Sequence, residues 1–334
     1  MTVECGHPLK IGSLSLANPL LLAPLSGISD LPFRLLAKEQ GCALVCTEMI
    51  SAEGLVRSQK ATQRLLRSCP EERPLAVQIF GSRPETMADA AKIAEGHGAD
   101  LVDINMGCPV RKVVHGGSGA ALLKDLARAA KIVSLVRKAI FLPLTIKIRS
   151  GWDDNNKNYL EAAKMAEECG VDAVTIHGRT RSQGYGGKAD WEVIARAKNH
   201  LRIPVIGNGD LTSPQAVVDF FAQTQSAGGM IGRGALGNPW IFRQALRLLD
   251  GLQPGEPSLQ EKEEMIIRHL KMMMETRGEV RGFKEFRKHL IWYTRGLRGA
   301  AEFRSQIPHW KTVPEMIERL QEYFQNLKNY LLFS

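Results

Sequence analysis

Long apolar runs are missing from this chain of 334 residues. No stretch reaches the ~18 residues a membrane-crossing helix needs. The opening MTVECGHPLKIGS has neither the basic start nor the apolar core of a secretory leader. A cytoplasmic protein with no membrane partner is the expectation. Cysteine is sparse: Cys5, Cys42, Cys46, Cys69, Cys108 and Cys169 are scattered through a large chain, which predicts free thiols in a reducing compartment. Cys42 and Cys46 are close in sequence, but Leu44–Thr47 reads as a strand and no second Cys/His pair is near, so a zinc site is excluded. Walker A, HExxH and nucleophile-elbow motifs are absent as well, which excludes the chemistries those motifs carry.

What is present is an ordinary globular composition, 44% hydrophobic and 24% charged, with a formal net charge of +9. Its length holds one large domain plus a smaller one, or two of medium size. The positive charge points to an anionic partner such as nucleic acid or a phosphorylated ligand, although many soluble proteins are mildly basic.

Short apolar runs alternate with helical patterns between about residues 20 and 250. Strands are predicted at Leu20–Ala23, Leu44–Thr47, Ala76–Phe80, Leu101–Ile104, Leu144–Ile148, Ala173–His177, Pro204–Ile206 and Gly229–Ile231. Helix starts fall between them, at Pro84-Glu85 and at Ser213-Pro214. Continuous apolar strands joined by helical crossovers predict a parallel sheet covered on both faces. An α/β fold of the (β/α)8 TIM-barrel type competes here with an open doubly wound sheet. Polar or small residues end nearly every strand, among them Gln78, Asn105, Lys147-Ile148-Arg149, His177-Gly178-Arg179 and Asn208-Gly209-Asp210. A barrel brings such ends together on one face, so the barrel is the expected fold. Residues 1–250 form this barrel, 251–258 a Pro/Gly-rich linker and 259–334 a small all-α helical domain with helices at Gln260–Thr276, Gly282–Arg298 and Val313–Leu332. On the middle helix, Phe283, Phe286, Leu290 and Leu297 share one face and Arg281, Lys284, Lys288 and Arg295 another. Taken alone, that basic face reads as a solvated surface.

The stretch Leu101–Leu123 organises the rest. A buried strand runs into Asn105-Met106-Gly107-Cys108-Pro109, then into a loop with Arg111, Lys112, His115 and several glycines. Cys108 is either a reactive group presented to a pocket or a buried cysteine before an ordinary turn. A GxGxxG occurs at Gly232–Gly237, but no strand ending in an acidic residue follows it, which excludes a Rossmann-type dinucleotide site. Backbone amides at a helix start still bind phosphate, and the loops after the last two barrel strands are the usual phosphate site. A single phosphate there points to a flavin mononucleotide. Lys147 would place positive charge at the flavin ring's N1–O2 edge, or else pair with Asp103 or Glu48. Gln78 would hydrogen-bond the pyrimidine edge of the ring.

The segments PLSGISD from Pro24, DINMGCP from Asp103, KIRSGW from Lys147, HGRTR from His177, Asn208-Gly209-Asp210 and GRGALGNPW from Gly232 together resemble bacterial tRNA-dihydrouridine synthases. The RKHLIWY stretch is most similar to the B-type branch, and the resemblance spans essentially the whole chain. It implies an NAD(P)H-dependent oxidoreductase that reduces specific tRNA uridines to 5,6-dihydrouridine. Hydride would pass from reduced FMN to C6 and a proton from Cys108 to C5, with NADPH or NADH as transient reductant. It implies that Pro24, Leu25, Ser26, Gln78, Lys147, His177, Asn208, Gly209, Asp210, Gly232 and Arg233 contact FMN. Asn105, Arg179 and Arg181 would meet the substrate, and Arg281, Lys284, Arg287, Lys288, Arg295 and Arg298 the tRNA backbone. A base in folded tRNA must be extruded to react, so phosphate contacts have to supply binding energy. The loop behind Cys108 would act as a lid. Leu25-Ser26 departs from the family's commoner Met-Ala; flavin contacts there are partly backbone, so binding is expected to persist. No obligate protein partner is implied. The alternative from another class is a flavoenzyme acting on a free pyrimidine, and a non-catalytic RNA-binding protein is a third.

Overall fold

The computed structural model describes residues 8–332. Cys5 and the outermost ends of the two expected domains lie outside the described residues. A hairpin comes first, β1 (Leu9–Ile11) and β2 (Leu14–Leu16), turning at Gly12 with φ +56°. The barrel strands are β3 (Leu20–Leu22), β4 (Val45–Cys46), β6 (Leu75–Phe80), β7 (Leu101–Met106), β8 (Leu144–Arg149), β9 (Ala173–His177), β10 (Val205–Asn208) and β11 (Gly228–Ile231). A short extra strand, β5 (Ile50–Ser51), pairs with the end of β6. The order is β3-β11-β10-β9-β8-β7-β6-β4, every pairing in it is parallel, and a parallel bridge from Leu21 to Leu44 joins the two ends. The expected eight-stranded barrel is therefore the fold. The short hairpin and β5 had no sequence signal, because elements of two or three residues carry no period.

Side chains alternate across each strand. Outward residues such as Val102, Ile104, Ile146, Ile148, Val174 and Ile176 pack under the surrounding helices. Inward residues change character with height. Leu21, Ala76, Leu101, Ala173, Ile206 and Met230 join Leu9, Ile11 and Leu16 of the hairpin in an apolar plug at one end. Above the plug come Gln78, Asp103, Thr145 and Thr175, all buried, and then Asn105, Lys147, His177 and Asn208. One face of the barrel is thus sealed by hydrophobic burial, and the C-terminal face is left to polar chemistry.

The helix starts follow the expected signals. Pro84 is the first residue of Pro84–Gly96, and Ser213 Oγ caps Pro214–Thr224 by accepting from Ala216 N at 3.1 Å. After the linker, Leu259–Arg277 begins with a capping box of Ser258 and Glu261. It packs on Glu279–Tyr293, with Gly282 admitting the Met273 carbonyl: a Cβ there would sit 2.7 Å from that oxygen. Helices Ala300–Gln306 and Val313–Leu332 complete the region. The middle helix is shorter at its C-terminus than Gly282–Arg298. It ends at Tyr293, Thr294 Oγ1 bonds back to Leu290 O at 2.9 Å, and Gly296 and Gly299 take φ +80° and +67°. Leu297, Arg295 and Arg298 therefore lie beyond the helix rather than on its faces. No helix among the described residues is long and apolar enough to cross a membrane.

Candidate active site

A cavity of about 250 Å³ opens at the C-terminal face of the barrel. Its base includes the turn after β7. Asn105 Oδ1 accepts from the amides of Gly107 at 3.1 Å and Cys108 at 2.9 Å, which folds the chain back at the strand end. Arg149 Nε donates to Gly107 O at 2.8 Å from the neighbouring strand. Behind Asn105 runs a directional chain: Asn105 Nδ2 donates to Gln78 Oε1 at 2.8 Å, and Gln78 Nε2 to Asp103 Oδ2 at 2.7 Å. Gln78 is wholly buried with both ends of its amide engaged. It supports Asn105 from behind while also lining the cavity. The loop beyond Cys108 is folded down as the short helix Arg111–His115 and a 3-10 segment Gly119–Lys124. Ala120 N donates to Cys108 O at 3.1 Å, and a Cβ on Gly119 would lie 2.9 Å from that same oxygen. Val110, at the start of this loop, is 54% exposed.

The Cys108 thiol is half-buried. Burial pushes it above its ordinary value, against the pull of the Val110 amide and of the Arg149 and Lys147 cations. The thiol form dominates at neutral pH. Lys147 reaches from β8 to Asn208 Oδ1 on β10 at 3.0 Å, and Asn208 Nδ2 donates to Met230 O at 2.7 Å. Burial first, and then repulsion from Arg149, brings the Lys147 ammonium down to about 8. His177 Nδ1 lies 3.1 Å from Asn208 O, an acceptor, so this nitrogen carries the proton. Its Nε2 is buried with no partner. Burial, with Lys147, Arg149 and Arg179 adding to it, pushes His177 down to about 2. The imidazole is neutral and presents an unused acceptor.

At the opposite wall Asp210, with φ +56°, divides its carboxylate between two arginines: Arg179 Nη2 at 2.8 Å and Arg233 Nη2 at 3.2 Å. Ala189 N donates to it as well, at 2.8 Å. Burial alone would raise its carboxyl, but the Ala189 amide and the two guanidinium groups outweigh that and hold it below the usual range. Gly209 has φ +130°, and a Cβ there would press on Ala189 at 2.6 Å. Gly232–Gly237 forms a single 3-10 turn, Arg233–Ala235, and the next helix starts only at Ile241. The expected helix-start amides are therefore those of a tight turn. A Cβ at Gly234 would lie 2.2 Å from Leu211 O, so the turn packs directly on its neighbour.

Pro24, Leu25, Ser26, Gln78, Asn105, Cys108, Lys147, His177, Asn208, Gly209, Asp210, Gly232 and Arg233 all line this one cavity. Arg179 and Arg181 do not. Arg179 is 2% exposed and shapes the following loop through Gly186 O at 2.9 Å and Gly187 O at 2.6 Å. Arg181 lies over Trp152 at 4.7 Å. Of the basic residues expected to meet RNA, Arg281, Lys284, Arg295 and Arg298 are exposed. Arg298 covers Tyr330 at 3.5 Å. Arg287 turns inward, over Phe283 at 4.9 Å and onto Trp310 O. Lys288 turns to the cavity rim and donates to Gly27 O. Arg149, which the sequence marks only as a strand end, holds the Cys108 turn and the Gly184 loop together. Tyr185 carries no sequence signal because it stands alone in a glycine-rich loop. It is 63% exposed at the cavity mouth, 5.1 Å from the Arg233 guanidinium and 5.9 Å from that of Arg149.

Known proteins similar to this chain bear on its fold and its family. The barrel is similar to a 2-naphthoyl-CoA reductase complex, with a TM-score of 0.58 at 14% identity over 76% of this chain and 53% of that one. It is also similar to histamine dehydrogenase from Rhizobium, with a TM-score of 0.56 at 12% identity over 81% of this chain and 51% of that one. At these identities the likeness concerns fold alone. Sequence relatives are nearer. tRNA-dihydrouridine synthase B of Pasteurella multocida is 40% identical over 318 residues, covering 95% of this chain and 96% of that protein. The protein of that name from Pseudomonas aeruginosa is 39% identical over 325 residues, covering 96% and 97%. The family model described as dihydrouridine synthase matches residues 21–329, barrel and helical region alike. The chain belongs to the dihydrouridine synthase family and is an oxidoreductase.

Proposed function

We propose that this oxidoreductase reduces uridines in tRNA to 5,6-dihydrouridine, with FMN held in the barrel cavity and NADPH or NADH as the electron source. The observation that carries the reading is that the Cys108 thiol, Lys147 and His177, with its unused Nε2, line one cavity. The residues present fit FMN. Arg233, oriented by Asp210, and the amides of Gly209 and the Gly232–Gly234 turn suit a phosphate. Asp210 acts through Arg233, since its own charge repels that group. His177 Nε2 suits a ribityl hydroxyl, and Lys147 suits the electron-rich edge of the ring. Leu25, Pro24 and Ser26 supply an apolar and backbone wall.

FMN held here and reduced by NADPH or NADH would supply the hydride that C6 of the uracil ring takes up. Cys108 supplies the matching proton at C5, so the C5–C6 double bond becomes a single bond with atoms and charge balanced. A thiol held above its ordinary value remains protonated at neutral pH, as a general acid requires. Lys147 and Arg149 stabilise the thiolate left behind. The Asp103–Gln78–Asn105 chain fixes the height and direction of the Cys108 turn. Exposed Arg281, Lys284, Arg295 and Arg298 supply sequence-independent contacts to tRNA phosphates, which hold the RNA while the base is extruded.

The test is a visible absorption spectrum. The purified protein should show a flavin band that NADPH bleaches, and without oxygen the band should return on adding tRNA that lacks dihydrouridine. A colourless protein that takes up no FMN would end this reading.

A further inference from the structure

The loop Pro24–Gly27, which walls the cavity, is gripped from the helical region. Gly27 has φ +73°, and the two peptide groups that flank its Cα are both held: the carboxylate of Glu48, just past β4, accepts its N–H, and the Lys288 ammonium donates to its C=O. The second oxygen of Glu48 accepts from Arg277 Nη2 at 3.3 Å. Arg277, the last residue of Leu259–Arg277, also donates through Nε and Nη2 to Asp30 Oδ2 at 3.3 Å. Its Nε lies 3.8 Å from Glu285. Asp30 Oδ1 in turn caps the helix that follows the loop, accepting from Phe33 N at 3.3 Å.

The helical region also docks on the barrel through apolar packing. Leu36 and Trp240 of the barrel join an apolar cluster with Leu270, Phe286 and Tyr293. Gly237 lies flat on the Trp292 backbone, where a Cβ would be 2.3 Å from the carbonyl carbon. Buried ion pairs are weak glue beside such packing, but they fix geometry. Glu48 and Lys288 converge on Gly27 in the cavity wall, and Arg277 holds Glu48 from behind.

We infer that Glu48 is a positioning residue through which Arg277, with Lys288 beside it, sets the Leu25–Gly27 wall, so that the helical region governs how the cavity holds its occupant. The identity of that occupant rests on the flavin reading above; the mechanical coupling does not. Two readouts separate them, on the full-length protein: amide hydrogen exchange in the Leu25–Ser29 segment, and FMN affinity from quenching of flavin fluorescence on titration into the apoprotein. Arg277→Met should raise exchange in that segment about tenfold and weaken FMN about tenfold. Arg277→Lys, which keeps the charge, should recover most of both. Lys288→Met, a change outside the packed core, should move both readouts in the same direction. Wild-type exchange and wild-type FMN affinity in both methionine variants would overturn the inference. Altered exchange in a protein that never binds FMN would uphold the coupling and overturn only the flavin reading.

Discussion

The ammonium of Lys147 on β8 donates to Asn208 Oδ1 on β10 at 3.0 Å, reaching past the intervening strand β9. That bond holds the cation in the lining of the cavity that Cys108 and the glycine-rich turns also line. Burial and Arg149 bring it down to about 8. Its charge is therefore present below that pH and lost above it, while in the unfolded chain it persists to the ordinary lysine range near 10.5. Flavin reduction and turnover should decline as pH rises through about 8. Lys147→Arg should move the decline to higher pH, and Lys147→Met should abolish it at a low basal rate. A wild-type profile flat to pH 10 would argue against a catalytic charge at this position.

Acid should unfold this protein early. His269 and His289 are buried side by side in the helical region with ring centroids 4.5 Å apart, and His177 is buried in the barrel. Burial pushes His269 down to about 3 and His289 well below its usual value, with the Lys288 charge adding to both; His177 falls to about 2. Below pH 6.5 the unfolded chain binds protons that the folded one refuses, so stability falls as pH falls. Each histidine contributes a slope of up to about 1.4 kcal/mol per pH unit. Urea midpoints measured from pH 7 to pH 4.5 should fall steeply, and His289→Leu should flatten the curve. An unchanged slope in that variant would show that His289 is accessible to protons in the folded state.

Gly237 is the tightest seam between barrel and helices. With φ +66° and the Trp292 carbonyl carbon 2.3 Å from the position of a Cβ, alanine cannot fit without separating the two. Gly237→Ala should lower stability by about 2–4 kcal/mol. Thermal unfolding reads this directly, and a melting temperature within a degree of wild type would show that the seam opens freely.

Much of this was legible in the chain. The eight barrel strands announced themselves because buried parallel strands are continuous apolar runs, and their polar tips predicted one shared face. The cavity residues from Pro24 to Arg233 could be gathered without coordinates for that reason. Contacts between distant charged residues were not legible: Arg277 and Glu48 are 229 positions apart, and no periodicity relates them. Arg179 and Arg287 illustrate the same gap. Arginines at a strand end or on a helix face read as outward contacts, yet one fixes a loop and the other covers Phe283. The end of the helix at Tyr293 is not legible because Gly296 looks tolerable within an amphipathic pattern until its positive φ is seen.

The account turns on the proton held by Cys108. The direct measurement is mass-spectrometric quantitation of dihydrouridine in initially unmodified tRNA, incubated with NADPH and either wild-type protein or Cys108→Ala. The wild type should form dihydrouridine. The variant should retain its flavin and bleach with NADPH as before, while product formation falls by at least about a hundredfold, the scale of a lost general acid. Dihydrouridine formed by Cys108→Ala at the wild-type rate would contradict the account.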